Sequence, residues 1–241
     1  MDVAAVIFDL DGVLLDSEVW WDEARRDLVA AHGRTWTAAD QRAVMGANSA
    51  AWARTMVARH GLGGDVEHVL REVVTRVVAR YRREGPPLIP GVAEAVSRLA
   101  ARYPLAIASS SHQEVIGAAL DTSDLGRFFS VVASSDEVAR GKPAPDVFLL
   151  AADRLGAPPG RTVVVEDSLN GVVAAKAAGM AVVLVPNASV PPQPEATDEA
   201  DVVLSTVAAI DPEVVLAAAR GAGRPRTREP RATRDRGTAG G

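Results

Sequence analysis

Residues 3–8, Val-Ala-Ala-Val-Ile-Phe, form a continuous apolar run too short for an ordinary helix and rich in branched side chains. Such a run reads as a strand covered on both faces, the kind found in a parallel sheet. It ends in Asp9-Leu10-Asp11-Gly12. Open α/β sheets bind ligands beyond the carboxyl ends of their strands, so this run sets two carboxylates where chemistry is done. The two-residue period of a strand points Asp9 and Asp11 the same way if the extended backbone lasts that far. Gly12 then lets the chain turn sharply. Two carboxylates at one spot repel each other, and a divalent cation is the simplest compensation. The same four residues would also suit a plain surface turn, so the rest of the chain has to decide.

Beyond Asp16-Ser17 the pattern becomes helical. Residues 18–84 show apolar stripes at helical spacing and no strand, and all four tryptophans lie there (Trp20, Trp21, Trp36 and Trp52). Asp16 or Ser17 is expected to cap the first helix and Thr37 the second. From Gly85-Pro86-Pro87 onward, short apolar runs alternate with amphipathic stretches. Strands are expected at 105–108, 129–133, 162–165, 181–185 and 202–204, with helices between them. That alternation implies βαβ units and a parallel sheet with right-handed crossovers. The expected organisation is a three-layer, Rossmann-like α/β core from residues 1–15 and 86–215. A helical cap of residues 16–85 is inserted in it, hinged near Asp16 and Gly85. The arginine-rich residues 216–241 read as a disordered tail with too little apolar surface to offset the entropy of ordering.

The strand ends share one edge of such a sheet. They bring together Asp9 and Asp11, then Ser109-Ser110-Ser111, then Glu166-Asp167, with Lys142 between a strand and a helix. Lysine is nearly absent from this chain, which makes Lys142 conspicuous; the only other, Lys176, suits a helix surface. Carboxylates bind a hard cation through oxygen, and hydroxyls, amides and a lysine bind an oxyanion. A metal, an anion site and a carboxylate nucleophile together describe phosphoryl transfer.

Four stretches, FDLDG, AIASSS, GKPAPDVF and VVEDSLNGVVAAKAAGM, resemble in order the four motifs of the haloacid dehalogenase (HAD) superfamily. The last two are similar to those of the branch containing β-phosphoglucomutase and many sugar phosphatases. The resemblance implies a HAD-like fold and a role for each matching position. Asp9 would be the nucleophile that forms an aspartyl-phosphate, and Asp11 the general acid and then base. Ser109, the amides near Ser110, and Lys142 would hold the phosphoryl oxygens. Asp9, the Asp11 carbonyl, Glu166 and Asp167 would surround Mg²⁺.

Departures narrow the reaction. Asp11 and Glu166-Asp167 argue against a dehalogenase, which lacks the second aspartate and the metal. Residues 16–85 contain no lysine, so the Schiff base of a phosphonatase has no candidate. The basic residues of the mutase cap and second motif are matched by Trp21, by Met45-Gly46-Ala47-Asn48-Ser49 and by His112. Hydrolysis of a small phosphate monoester, a sugar or polyol phosphate, is therefore the expected reaction, with a sugar phosphomutase as the alternative. Trp21, Asn48, Trp52 and Arg54 are the candidate substrate contacts in the cap, although the tryptophans also suit the core of a helical bundle. Ser111 reads equally well as a helix cap, and His112 reads better as a plain turn residue than as a substrate contact.

The net charge of −5 gives no reason to expect nucleic acid. No apolar run approaches the length of a membrane span, and no secretory signal is expected. Cysteine is absent, which excludes disulfide and thiolate chemistry and agrees with a cytoplasmic protein. The sequence carries no sign of oligomeric state.

Overall fold

The computed structural model describes residues 2–63 and 65–221. The chain begins with β1 (Ala5–Phe8) and then runs through α1 (Glu18–Ala31), α2 (Ala38–Val44), α3 (Ser49–His60) and α4 (Val66–Glu84). It returns as α5 (Val92–Ala100), β2 (Leu105–Ser109), α6 (Gln113–Thr122), β3 (Val131–Ser134) and α7 (Asp146–Leu155). It ends with β4 (Thr162–Glu166), α8 (Leu169–Ala177), β5 (Ala181–Leu184), α9 (Pro194–Glu199), β6 (Val202–Val203) and α10 (Pro212–Gly221).

The six strands form one sheet in the order β3-β2-β1-β4-β5-β6, and every pairing is parallel. β1 is central, flanked by β2 and β4. All residues of β1, β2, β4 and β5 are buried, which explains their unbroken apolar runs. Alternate positions feed two cores. Val6, Phe8, Ile107, Val163 and Val165 pack with α5, α6 and α10. Ile7, Ala106, Ala108, Val164 and Val182 pack with α7, α8 and α9. The result is the three-layer α/β arrangement expected.

The helices α1–α4 lie between β1 and β2 in the chain. Three of the four have a side-chain cap. Thr37 and Asp40 form a capping box on α2, Asn48 caps α3 and Asp65 caps α4. Ser17 precedes α1 but makes no side-chain cap bond, contrary to expectation. Its hydroxyl donates to Asp11 instead, and Asp16 accepts from Ser189 Oγ at 2.9 Å. The chain leaves and rejoins the sheet domain at one place. Asp16 N donates to Pro87 O at 2.9 Å and Ile89 N to Leu14 O at 3.0 Å, and Leu15 bridges Leu88 in antiparallel fashion.

Strand ends shift by one residue in several places, and two boundaries move further. β3 begins at Val131 rather than at 129, because residues 126–128 form a 3₁₀ turn and the Phe129 ring packs edge-on to Phe8 at 5.9 Å. Residues 216–221 of the expected tail are helical, because Ala218 and Ala219 continue the buried face that α10 starts with Val215. The remainder of that tail, 222–241, lies outside the described residues. No described helix is long and apolar enough to cross a membrane.

Candidate active site

Parallel strands deliver their carboxyl ends to one edge. Asp9 follows β1 directly, and its amide donates to Val165 O at 3.0 Å, so it lies beside the end of β4. Glu166 closes β4 and Ser109 closes β2. These side chains, with Asp11, Ser110, Ser111, Lys142 and Asp167, line a pocket of about 270 Å³ whose opposite wall comes from α1, the 44–47 segment, α3 and a loop at 187–193.

Lys142 ties the acids together. Its Nζ donates to Asp9 Oδ1 at 2.5 Å and to Glu166 Oε1 at 2.6 Å, and it lies 4.6 Å from the Phe148 ring centre. The second oxygen of Glu166 accepts from the amides of Asp167 and Ser168 at 2.8 and 2.9 Å and from Ser168 Oγ at 3.0 Å. Asp11 is held apart from this network. One carboxylate oxygen accepts from Ser111 Oγ at 2.6 Å. The other takes Ser17 Oγ and Trp21 Nε1, the latter at 3.4 Å. Ser109 Oγ accepts from the Ser111 amide at 3.0 Å, which turns the 109–111 segment into the pocket.

Two glycines make this packing possible. Gly12 has φ +91°, and a Cβ there would lie 2.0 Å from Asp167 Oδ2. A Cβ on Gly171, in α8, would lie 1.7 Å from Glu166 Oε1. Alanine in a helix ordinarily stabilises by about 1 kcal/mol over glycine. Here Gly171→Ala must drive Glu166 off Lys142, so both melting temperature and turnover should fall, the latter by about 10²-fold for an ångström-scale displacement. A more stable, fully active variant would refute the packing.

The charges do not balance. Asp9, Glu166 and Asp167 each offer an oxygen, all within 4.8 Å of one another, and one lysine serves them. Burial pushes the Asp9 carboxyl up to about 8; Lys142 pulls it down while Glu166 and Asp11 push it up further. Burial and the charges of Glu166 and Asp9 hold Asp167 well above the usual carboxylate range. Burial also opposes ionisation of Glu166, but Lys142 and Ser168 outweigh it and hold its carboxyl low. Burial opposes the charge on Lys142, yet Asp9 and Glu166 keep its ammonium above the usual lysine range. Surplus negative charge on an all-oxygen donor set fits a hard divalent cation.

That imbalance has a pH signature. With its folded pKa near 8 against an ordinary carboxyl value of 3.8, Asp9 holds more proton in the native than in the unfolded state between those limits. Stability therefore falls as pH rises through that window. In chelator, the melting temperature should drop from about pH 5.5 to about pH 8. One such group gives at most about 1.4 kcal/mol per pH unit, or roughly 3–5 °C at this chain length. A divalent cation should flatten the fall; a melting temperature that rises across the window in chelator would refute the assignment.

The model of one protein family, described as haloacid dehalogenase-like hydrolase, matches residues 3–179, which includes every strand end around this pocket. The chain belongs to the haloacid dehalogenase-like hydrolases. A probable pseudouridine-5'-phosphatase of Drosophila melanogaster is 36% identical over 220 residues, covering 88% of this chain and 93% of that one. Hexitol phosphatase B of Escherichia coli strain K12 is 35% identical over 210 residues, covering 85% and 90%. The crystal structure of CbbY from Rhodobacter sphaeroides in complex with phosphate superposes with a TM-score of 0.78 at 28% identity, covering 86% and 96%.

In this hydrolase the expected strand-end residues converge, whereas the helical wall only partly follows expectation. Trp21 and Trp52 line the pocket, edge to face at 6.1 Å. Asn48 does not line it: its oxygen caps α3 by accepting from Ala51 N at 3.0 Å. Arg54 does not line it either and is exposed. Two residues past Trp52 on a helix is about 200° around the axis, on the far side. Trp20 packs on Tyr81 at 5.5 Å, under Arg80. His112 caps α6 and sits 3.9 Å from Asp136, and Lys176 is bound to Asp201. Glu18 and Arg25 line the pocket without having been singled out, and so does Ser17, expected only as a helix cap. Arg25 follows Trp21 by four residues, so once Trp21 was a candidate the helical period pointed to it.

Proposed function

We propose that this hydrolase is a Mg²⁺-dependent phosphatase acting on a small phosphate monoester, a sugar or polyol phosphate, through an aspartyl-phosphate. The observation that carries the reading is the separation of the two aspartates into different environments. Asp9 is gripped by Lys142 beside two further acids, whereas Asp11 meets only neutral donors, Ser17, Ser111 and Trp21. Two carboxylates of unlike surroundings take unlike roles.

Asp9 attacks phosphorus, and its oxygen forms the new bond as the ester oxygen departs. Asp11 gives that leaving oxygen a proton. Water then attacks the phosphorus of the acyl phosphate, Asp11 takes its proton, and Asp9 is released with inorganic phosphate. Lys142, Ser109 and the amides near Ser110 hold the phosphoryl oxygens. Asp9, the Asp11 carbonyl, Glu166 and Asp167 are the residues that would hold Mg²⁺, which supplies charge neutralisation when anion meets anion. Helices α1–α4 act as a cap that shields the pocket from bulk water and selects the alcohol. Phosphatases among the relatives and the phosphate of the CbbY complex support the same reading.

Purified protein incubated with a panel of sugar and polyol phosphates should release inorganic phosphate with Mg²⁺ and not with chelator. Isomerised hexose phosphate on adding a bisphosphate, with no free phosphate, would instead establish a phosphomutase.

A further inference from the structure

Arg25 is a buried cation in the helical wall that the phosphoryl chemistry does not use. It is 5% exposed and borders the pocket. Its guanidinium carbon sits 5.2 and 5.4 Å from the ring centres of Trp21 and Trp52. Nη1 donates to Gln41 Oε1 at 3.3 Å and stands 3.8 Å from Glu18 Oε1. Nε is buried with no hydrogen-bond partner among the described residues. Glu18 also borders the pocket and is itself steadied by Gln41 Nε2.

A guanidinium ordinarily saturates a carboxylate through two short parallel bonds. This one meets its carboxylate at long range and keeps a buried donor unfilled, an arrangement that costs free energy unless an acceptor arrives. The occupant must therefore present an oxygen acceptor. Glu18 decides its charge. The Arg25–Glu18 pair is neutral as a unit, and Asp11 lies nearby on Trp21 Nε1. A second phosphate or carboxylate placed there would face Glu18 with only one already-shared cation to compensate. A hydroxyl or carbonyl oxygen meets no such penalty, and it can also donate to Glu18 when it is a hydroxyl. The 270 Å³ pocket suits a small molecule.

The geometry points to Arg25 and Glu18, positioned by Gln41 and framed by Trp21 and Trp52, as a subsite for the uncharged, hydroxylated end of a monophosphate, one that discriminates against bisphosphates. This rests on the phosphatase reading for which end of the substrate reacts, but not for its binding test.

The probes are glucose 1-phosphate and glucose 1,6-bisphosphate, which differ only at the far end. They are titrated calorimetrically, with Mg²⁺, into the Asp9→Asn protein, into Asp9→Asn/Arg25→Met and into Asp9→Asn/Glu18→Gln. The monophosphate should bind at least tenfold more tightly than the bisphosphate. Arg25→Met should weaken the monophosphate at least tenfold. Glu18→Gln should narrow the preference at least fivefold by admitting the second anion, a gain that misfolding cannot imitate. In turnover, Arg25→Met should raise KM at least tenfold with kcat changed less than threefold. Tighter binding of the bisphosphate, binding of neither probe, or a preference unaltered by Glu18→Gln would overturn the subsite. Binding as expected without phosphate release from any ester by the parent protein would overturn the phosphatase reading alone.

Discussion

Asp9→Asn should lower phosphate release by about 10⁴-fold or more, the scale of loss when a covalent nucleophile is removed, while the protein becomes no less stable in chelator. The two halves of this result have one cause. Asn keeps the volume of Asp9 and an oxygen for Lys142, but it removes a carboxylate that burial has pushed up to about 8. The fold therefore loses a group whose ionisation it resists, as the reaction loses its attacking oxygen. Acid quenching of the parent protein during turnover should trap labelled phosphate as a hydroxylamine-labile acyl phosphate, absent in the variant. Retained activity in Asp9→Asn would remove it as the nucleophile in any version of the mechanism.

Replacing Lys142 should strike both stability and rate. Its side chain is 3% exposed and bonded to two acids that are 8% and 1% exposed. Lys142→Met keeps an unbranched side chain but removes the ammonium over Phe148, and it leaves Asp9 and Glu166 facing each other and Asp167 with no cation. Breaking one partner out of a buried ionic cluster costs about 3–5 kcal/mol, or roughly 6–20 °C of melting temperature for a chain of this size. The rate should fall by about 10²–10³-fold through loss of one electrostatic partner of the phosphoryl group. Saturating Mg²⁺ should recover part of the stability, because a second cation can share the acids, but little of the rate. A variant as stable as the parent in chelator would mean that the acids are compensated some other way. Unequal recovery also separates this from the Gly171→Ala result, in which Glu166 is displaced but every charge remains.

What could be read from the chain beforehand divides along a physical line. The strand ends were legible because a strand buried on both faces is a bare apolar run, and any acid closing it stands out. Asp9, Glu166 and Asp167 are of this kind, and the scarcity of lysine did the same for Lys142. The helical wall was less legible. Helical periodicity tells which residues share a face, as with Trp21 and Arg25, but not which face is set over a distant pocket. Arg54 lies outside the pocket for that reason, whereas Trp52 on the same helix lines it. Small polar residues were harder still. Ser17 and Ser111 both look like helix caps, and both instead hold the Asp11 carboxylate, a choice made by tertiary proximity that local propensity cannot contain. The end of α10 was missed because Ala218 and Ala219 are too small to announce a buried face.

The place where α1–α4 join the sheet domain has a consequence for how such a protein can change over time. The departing and returning segments are neighbours, bonded Asp16 to Pro87 and Ile89 to Leu14, with Leu15 against Leu88. Topologically, everything between them is one large excursion from a short turn, and the sheet neither begins nor ends inside it. The free energy of closing such an excursion depends only weakly on its length. Helices can thus be lengthened, shortened or exchanged wholesale there without re-registering a single strand. On the cap reading proposed above, a transplant of residues 16–85 that retains Ser17 and Trp21 for their bonds to Asp11 should carry substrate preference into a related sheet domain.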